Sequence, residues 1–577
     1  MRDPGRLTAA DDFFARGRSR TSLYEFNKRA WRSLVFPSRN GAREVLGRPG
    51  GKLAGLGLSA HHCLAPFWDN GRNVTPVVSA PELSLSMFVP VVLSLAMALS
   101  KGNSIVLNLL SVDPLNNSSS MHQTEVGPVI ATNGNLQVTS MLVGRNYGDG
   151  SPAMGFTTFN NKGMTPSLLP GLTQYQNPAG PYSAVSFPSV AWNAVYAEFV
   201  VDVLPITGDP NGNNDQTHAP VVMLSSDGVH WSAPKAIAPD LTRPEKNYLA
   251  CDNNFWTSHY VGNCYVVWDD NGNNDEFHAN VSTNGGSAWG STQSPPDHHS
   301  AYGAFPVIQP NGTVVVTSED GNGYDGAAAN IISFVSTNGG GSWSAAAEVA
   351  AISAHQVAGG MRTQSLPSSG VGANGTVYSV WQDCRFRSNC SSNDIVISTS
   401  SNGTSWTSPA RIPLDPTNSG VDHFLPALSV QPGFFSTTLV LSYYYYPQAN
   451  CTVSTCQLDA AYSVSNNSGQ SWSTPVQLAG PMSLSWLPLT SAGYMVGDYF
   501  GNDIENNGVY APLAVAYAPN GSTYNEATYL PEQCNRNCNQ SKGMAAPSMR
   551  GAGAMTMGRL QAPRVAPPRG RMPRSRV

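Results

Sequence analysis

Short apolar runs, cut off at each end by Gly, Pro, Asn or Asp, recur along the middle of the chain. LQVTSMLV, NCYVVWDD, TVVVTSED, TVYSVWQD, TLVLSYYYY and YMVGDYF are the strongest of them. Runs this short, rich in β-branched and aromatic residues and bounded by turn formers, predict strands and not helices. Pro128, Pro188, Pro306, Pro367, Pro426 and Pro488 each open another short apolar stretch, at intervals of 59–62 residues with one double interval of 118. The double interval leaves room for a unit near Tyr248, where KNYLACD replaces the proline. Turns such as Asn133-Gly134, Asn311-Gly312 and Asn374-Gly375 follow, as hairpin connections require.

A second pattern keeps the same period. SSDGVHW ends at Trp231, STNGGSAW at Trp289, STNGGGSW at Trp343, SSNGTSW at Trp406 and SNNSGQSW at Trp472. The acidic or amide position falls at Asp227, Asn284, Asn338, Asn402 and Asn467, 54–65 residues apart, with a degenerate copy near Asn160. An Asp or Asn side chain accepts bonds from the backbone of its own turn, Gly supplies positive φ, and Trp plugs the sheet. Five copies at a steady spacing predict a repeat architecture. With four strands per unit, the expected fold is an all-β propeller of four-stranded antiparallel blades, and the first-strand markers count seven units.

Composition agrees. Of 577 residues, 55 are Gly and 43 Pro, and only 12% are charged, which excludes a helical bundle or coiled coil. The net charge of −5 is unevenly spread: residues 1–86 carry +6, 87–540 carry −19 and 541–577 carry +8. An acidic body excludes nucleic acid as its partner, since phosphate contacts need a basic surface. The domain plan read from this is a basic extension over 1–82, an apolar segment over 83–102, a propeller over 121–530 and a basic Pro/Gly/Arg-rich tail over 531–577. The extension is disordered or a gene-model artefact.

Leu83 to Ser100 has no charge, and Ala96-Met97-Ala98 has the small-x-small form of a signal-peptidase site. It reads as a signal peptide, with translation starting at Met87, or as a signal anchor; a buried apolar element is the plain alternative. Either of the first two places the body outside the cytoplasm, secreted or membrane-anchored, and the membrane is a partner only if the segment stays uncleaved. Nine cysteines fall into the close pairs Cys251/Cys264, Cys384/Cys390, Cys451/Cys456 and Cys534/Cys538, with Cys63 left over. Local pairs suit disulfides in an oxidising compartment; zinc is the rival, but the spacings differ and no His partners recur. Asn311, Asn374 and Asn450 begin glycosylation sequons.

The Trp-ended turns resemble the Asp-box, or BNR, repeats of the sialidase (neuraminidase) superfamily. WQDCRFRSNCSSNDIVISTSSNGTSW, DHFLPALSV and GPMSLSWLPLTSAGYMVGDYFG are similar to secreted sialidase-like proteins, over roughly residues 121–530. That resemblance implies six blades where the markers count seven. It implies an exo-glycosidase removing terminal acidic sugars from a glycan or glycoprotein. Such chemistry needs arginines for the sugar carboxylate, a carboxyl acid/base and a Tyr nucleophile, with no cofactor.

Blade topology divides these residues between two faces. The Asn-Gly turns and the Trp-ended turns share one face and read as structural. The other face is expected to carry Arg145, Arg362 and Arg385, from different blades, as a carboxylate-binding set. Asp252 or Asp383 is the expected acid/base, and Tyr446 or Tyr499 the nucleophile. Plainer roles stand beside these. Asp383, Arg385 and Arg387 suit a salt-bridged loop between Cys384 and Cys390. Tyr443 to Tyr446 alternate faces on a strand, and Asp498-Tyr499 suits an anchor for the last blade. His423 reads as a hydrogen-bonded loop residue. The family's Phe/Tyr-Arg-Ile-Pro motif has only Val143-Gly-Arg145-Asn146 in its place, and Arg411-Ile-Pro413 follows a Trp-ended turn in an outer strand. The loops Asp209 to Asp215 and Asp269 to Glu276 offer oxygens that suit Ca²⁺ or plain polar turns. A non-catalytic propeller binding glycans or proteins is the alternative function, and a structural surface protein a third.

Overall fold

The computed structural model describes residues 105–532 apart from 161–162, 213, 240–241, 322–328, 434–435 and 506–507, all within the compact unit Val92–Val577. The basic extension, the apolar segment Leu83 to Ser100, Cys63, the pair Cys534/Cys538 and the basic tail lie outside the described residues. The described chain is all-β: strands and short 3₁₀ turns, with no α-helix. No described helix is long and apolar enough to cross a membrane.

The strands form a propeller-like ring of small antiparallel sheets. Five are self-contained and follow one another along the chain, beginning at Ala184, Pro244, Tyr302, Ser368 and Asp422. A seven-stranded sheet joins the first unit, Met121–Asn133 to Gly163–Leu168, to the strands that close the ring. Within each unit the strands run from A, innermost, to D, outermost, except that the unit beginning at Pro244 stops at C, with an isolated bridge from Ala279 to Gln293 in place of D. The A strands Met121–Asn133, Ala184–Asn193, Pro244–Cys251, Tyr302–Ile308, Ser368–Val371 and Asp422–Gln431 pack each on the next. The short strand Asp503–Glu505 touches both the last and the first, completing the circle.

Pro367 opens its A strand as expected, whereas Pro128, Pro188, Pro306 and Pro426 sit inside theirs. The A–B register shifts between Val126 and Val129, Ser186 and Ser189, Tyr302 and Phe305, and Phe424 and Ala427, and blade three shifts likewise between Glu245 and Tyr248. Each shift holds a residue at positive φ: Gly127, Phe187, Gly303, Leu425 and Lys246. Proline cannot donate to a ladder, so a bulge is where a strand tolerates it. Pro488 opens no A strand. It precedes only the two-residue strand Leu489–Thr490, and YMVGDYF does not form a B strand. Gly497 there lies against Gly127, too close for a Cβ, and the stretch runs as a strut along the first A strand.

The Trp-ended turns join C to D and fasten each blade to the one before. Ser400 Oγ accepts from Gly403 N, and Asn402 Oδ1 accepts from Thr404 N and Ser405 N at 3.0 and 2.9 Å. The same bonds recur around Asp227, Asn284, Asn338 and Asn467. Gly403, at φ +75°, leaves 2.7 Å between a built Cβ and Val315 of the preceding blade, so no side chain fits. Ser333 Oγ of that blade donates to Gly403 O at 2.6 Å. Disulfides join Cys251 to Cys264, Cys384 to Cys390 and Cys451 to Cys456, as the spacing suggested.

Candidate functional site

The A–B and C–D turns do share a face. Tyr260, in the A–B loop of blade three, reaches Thr337 O in the Trp-ended turn of blade four, and its ring covers Gly339. The B–C loops and D–A connections lie on the other face. There a cavity of about 370 Å³ is lined by Asp149, Phe187, Asp215, Arg243, Glu245, Tyr302 and Arg362, with Gly148, Pro210, Gly212 and Ser491 completing the wall.

The floor of this cavity is an ionic knot. Arg362, just before the A strand of blade five, binds Asp498 with Nε on Oδ1 and Nη2 on Oδ2, the latter at 2.6 Å. Lys246 Nζ reaches the same Oδ2 at 3.1 Å. Burial alone would raise the Asp498 carboxyl, but the guanidinium and the ammonium hold it well below the usual carboxylate range. Lys246 Nζ also lies 4.6 Å from the Phe187 ring centroid and 4.5 Å from that of Tyr302. Lys246 and Phe187 are the positive-φ residues of their bulges, with φ of 46° and 48°. Both bulges therefore aim a side chain at the cavity floor, at the cost of backbone strain.

Glu245 is the titratable group of the wall that stands out. Burial raises its carboxyl to about 7; Asp149 adds to the rise, while Lys246, Arg243 and Arg362 oppose it. Asp269 stands directly across from it in the A–B ladder and is sealed from solvent. Burial, then Glu245 and Asp275, push Asp269 up as well. Sequence reading passed over Glu245 because PEKNY carries no motif; only its register position, beside the missing proline, marks it.

The structure scatters the residues expected from sequence. Arg362 lines the cavity. Arg145 is buried behind the wall, where Nη1 donates to Gly150 O, Nη2 to Gly148 O at 3.5 Å, and Nε faces Met495 Sδ at 3.2 Å. It holds the loop that carries Asp149. Arg385 is elsewhere: it chelates Asp383 at 2.9 and 2.7 Å and donates to Ala351 O in the outer strand of blade four. The three arginines do not converge, and Asp383 and Arg385 form the salt-bridged loop that was their plainer reading. Arg387 closes that loop against Asp394 and Asp415. Asp252 follows the A strand of blade three and does not precede it, so it lies on the face of the Trp-ended turns; it accepts from Asn254 N at 2.9 Å and from Ser258. Tyr499 is half-buried, its hydroxyl donating to Asn247 O at 2.7 Å, and desolvation pushes it well up. Tyr446 is buried too, its hydroxyl toward Ala358 O at 3.4 Å, and burial pushes it up likewise.

Beyond Asp269, the acidic loops spend their oxygens locally. Asp270 accepts from Arg243 N at 2.6 Å and from Thr242, Asp275 from Asn271, and Glu276 from Asn273 and His298. Asp215 pairs with Arg243 at 3.4 Å. Asp394, Asp415 and His423 also lie together, but Arg387 and Arg411 occupy their carboxylates at 2.5–2.9 Å. Burial lowers His423 to about 4.

No family model matches the chain, and no curated protein matches it either. Solved structures of similar fold include a leech intramolecular trans-sialidase complexed with 2,7-anhydro-Neu5Ac, at 10% identity over 57% of this chain and 67% of that one, TM-score 0.37. A Hadza microbial sialidase is 14% identical over 71% and 65%, TM-score 0.36. An ulvan-degrading polysaccharide lyase is 10% identical over 74% and 96%, TM-score 0.45.

Proposed function

We propose that this chain is a carbohydrate-active propeller whose loop-face cavity takes an acidic sugar residue of a glycan or glycoprotein and cleaves its glycosidic bond, as an exo-glycosidase of sialidase type does. The observation that carries the reading is Glu245: a carboxyl raised to about 7 in the wall of the cavity, beside two arginines. A group of that acidity holds a proton near neutrality and can donate it to a leaving oxygen. Arg362 and Arg243 face the sugar's carboxylate, Asp149 and Asp215 accept from its hydroxyls, and Phe187 and Tyr302 supply an apolar wall. Tyr302, whose hydroxyl accepts from Gln364 Nε2 at 3.0 Å, is the cavity-lining phenol given the nucleophile's role in this reading, in place of Tyr446 or Tyr499. The three disulfides support work outside the cytoplasm. The test is turnover of fluorogenic sialosides and glycuronides, with Glu245→Gln lowering kcat/KM at least 100-fold while ligand binding persists. No turnover across the panel sinks the hydrolase reading.

A second reading, a non-catalytic propeller binding the same glycans, is favoured by the scatter of Arg145, Arg362 and Arg385 and by the burial of Tyr446. It predicts saturable binding by the wild type without product.

A further inference from the structure

On the face opposite the cavity, one side chain has no reason to be where it is on grounds of folding. Trp256 is 97% exposed, and the next large apolar side chain among the described residues, Val106, is 55% exposed. Phe255 beside it is 51% exposed. Leaving an indole wholly in water forgoes the burial that usually holds tryptophan in a fold.

The loop that presents these rings is rigidly tied. The Cys251–Cys264 disulfide closes its base. Asp252 accepts from Asn254 and Ser258 within it. Asn253 joins it to the neighbouring blade's loop, donating to Trp192 O and accepting from Ala194 N, both at 2.8 Å. Asn254 Nδ2 donates to Gln309 O at 3.3 Å and Thr257 Oγ1 to Pro310 O, on the blade beyond. The exposure is thus built in, and the entropy of ordering the loop is met before any ligand arrives. Val195 and Tyr196, about two-fifths exposed on the adjoining loop, pack against Gly262 of this one.

Size and charge decide the occupant. Four side chains fall far short of the roughly 20–30 residues a side of a stable protein interface. Neither loop, Asn193 to Glu198 nor Asp252 to Asn263, carries a lysine or arginine, so phosphate, acidic lipid and uronic acid have no counter-charge. What fits exposed aromatic rings without a cationic neighbour on their loops, set among amides and hydroxyls, is the apolar face of a neutral sugar ring. We propose that Trp256 and Phe255 form a second carbohydrate site, which anchors the propeller to a neutral pyranose polymer while the opposite face stays open. The site does not depend on the cavity being catalytic.

Affinity electrophoresis of the full chain through gels containing mixed-linkage β-glucan, xyloglucan or glycol chitin tests this, with retention on amorphous cellulose as a second assay. At least one neutral polymer is expected to retard the wild type. Trp256→Ala is expected to weaken retention ten-fold or more, Phe255→Ala less, and Glu245→Gln not at all. Far-UV circular dichroism and the melting curve of Trp256→Ala should match the wild type, since nothing packs on the indole. Failure of every neutral polymer to retard the wild type, or equal retention of Trp256→Ala, overturns the proposal. So does a Trp256→Ala defect confined to phosphatidylcholine vesicles or to self-association, which assigns the ring to a membrane or to a second copy.

Discussion

Arg362 holds both carboxylate oxygens of Asp498, although 136 residues separate them and they come from blade five and the closing segment. Lys246 of blade three meets the same carboxylate. Three distant parts of the ring are therefore tied by one buried anion. Removing that anion leaves two buried cations facing each other. Asp498→Ala is expected to cost about 3–5 kcal/mol in urea unfolding, because taking one partner out of a buried ion pair costs far more than the pair was worth. A loss below 1 kcal/mol would show that the knot is not closed in solution.

Glu245 sets a pH dependence. Its carboxyl is raised to about 7, so the acid form is present below that pH and lost above it. If Glu245 is the proton donor, kcat on a good leaving-group-poor substrate falls as pH rises through about 7. Glu245→Gln should abolish this limb together with the activity, and Glu245→Asp should move it.

Stability should follow the same sign. Burial raises Glu125 to about 8 and Asp202 to about 7. A folded-state value above the ordinary one means the native protein binds protons the unfolded chain releases. That contribution is fully present below about pH 4 and is lost as pH rises through 7 to 8. Tm should therefore drop between pH 6 and 8.5 and the slope should flatten in Glu125→Gln. Asp498, shifted the other way, acts only in acid, below the window tested.

The glycine of a Trp-ended turn carries a separable prediction. Gly403→Ala combines unfavourable positive φ with a Cβ pressed on Val315 and Val335, and should cost about 2–4 kcal/mol. Gly420 has the same φ of +75° but nothing within 4 Å, so Gly420→Ala should cost only about 1 kcal/mol. Equal losses in denaturant titrations would mean that contact with the preceding blade contributes nothing.

Much of the fold was written in short-range patterns. The turn around Asn402, the B strand Val377–Asp383 and the Cys384–Cys390 loop are each specified by residues close in sequence, so period and spacing reveal them. The bulges at Phe187 and Lys246 were not legible, because a positive φ on a large side chain has no sequence mark. The site was legible in part: Arg362 was found, but the convergence of Arg145 and Arg385 was not a property of the sequence. Whether an arginine points at the axis depends on local acceptors, and Gly150 O and Asp383 claim theirs first. Asp252 lies on the face opposite the one expected of it, since KNYLACD gives no boundary between its strand and the loop that follows. Glu245 came from register alone.

The closing strands carry one more consequence. Leu107–Leu109, the first described strand, pairs antiparallel with Tyr529 to Pro531, the end of the last, and Ser111 links Glu125 to Thr528 N through its hydroxyl. During synthesis the opening segment must wait more than 400 residues for its partner. Every blade can collapse on its predecessor as it emerges, yet the circle cannot lock until nearly the whole propeller has been made. Clipping the chain ahead of Glu526 would leave a spiral with an open seam.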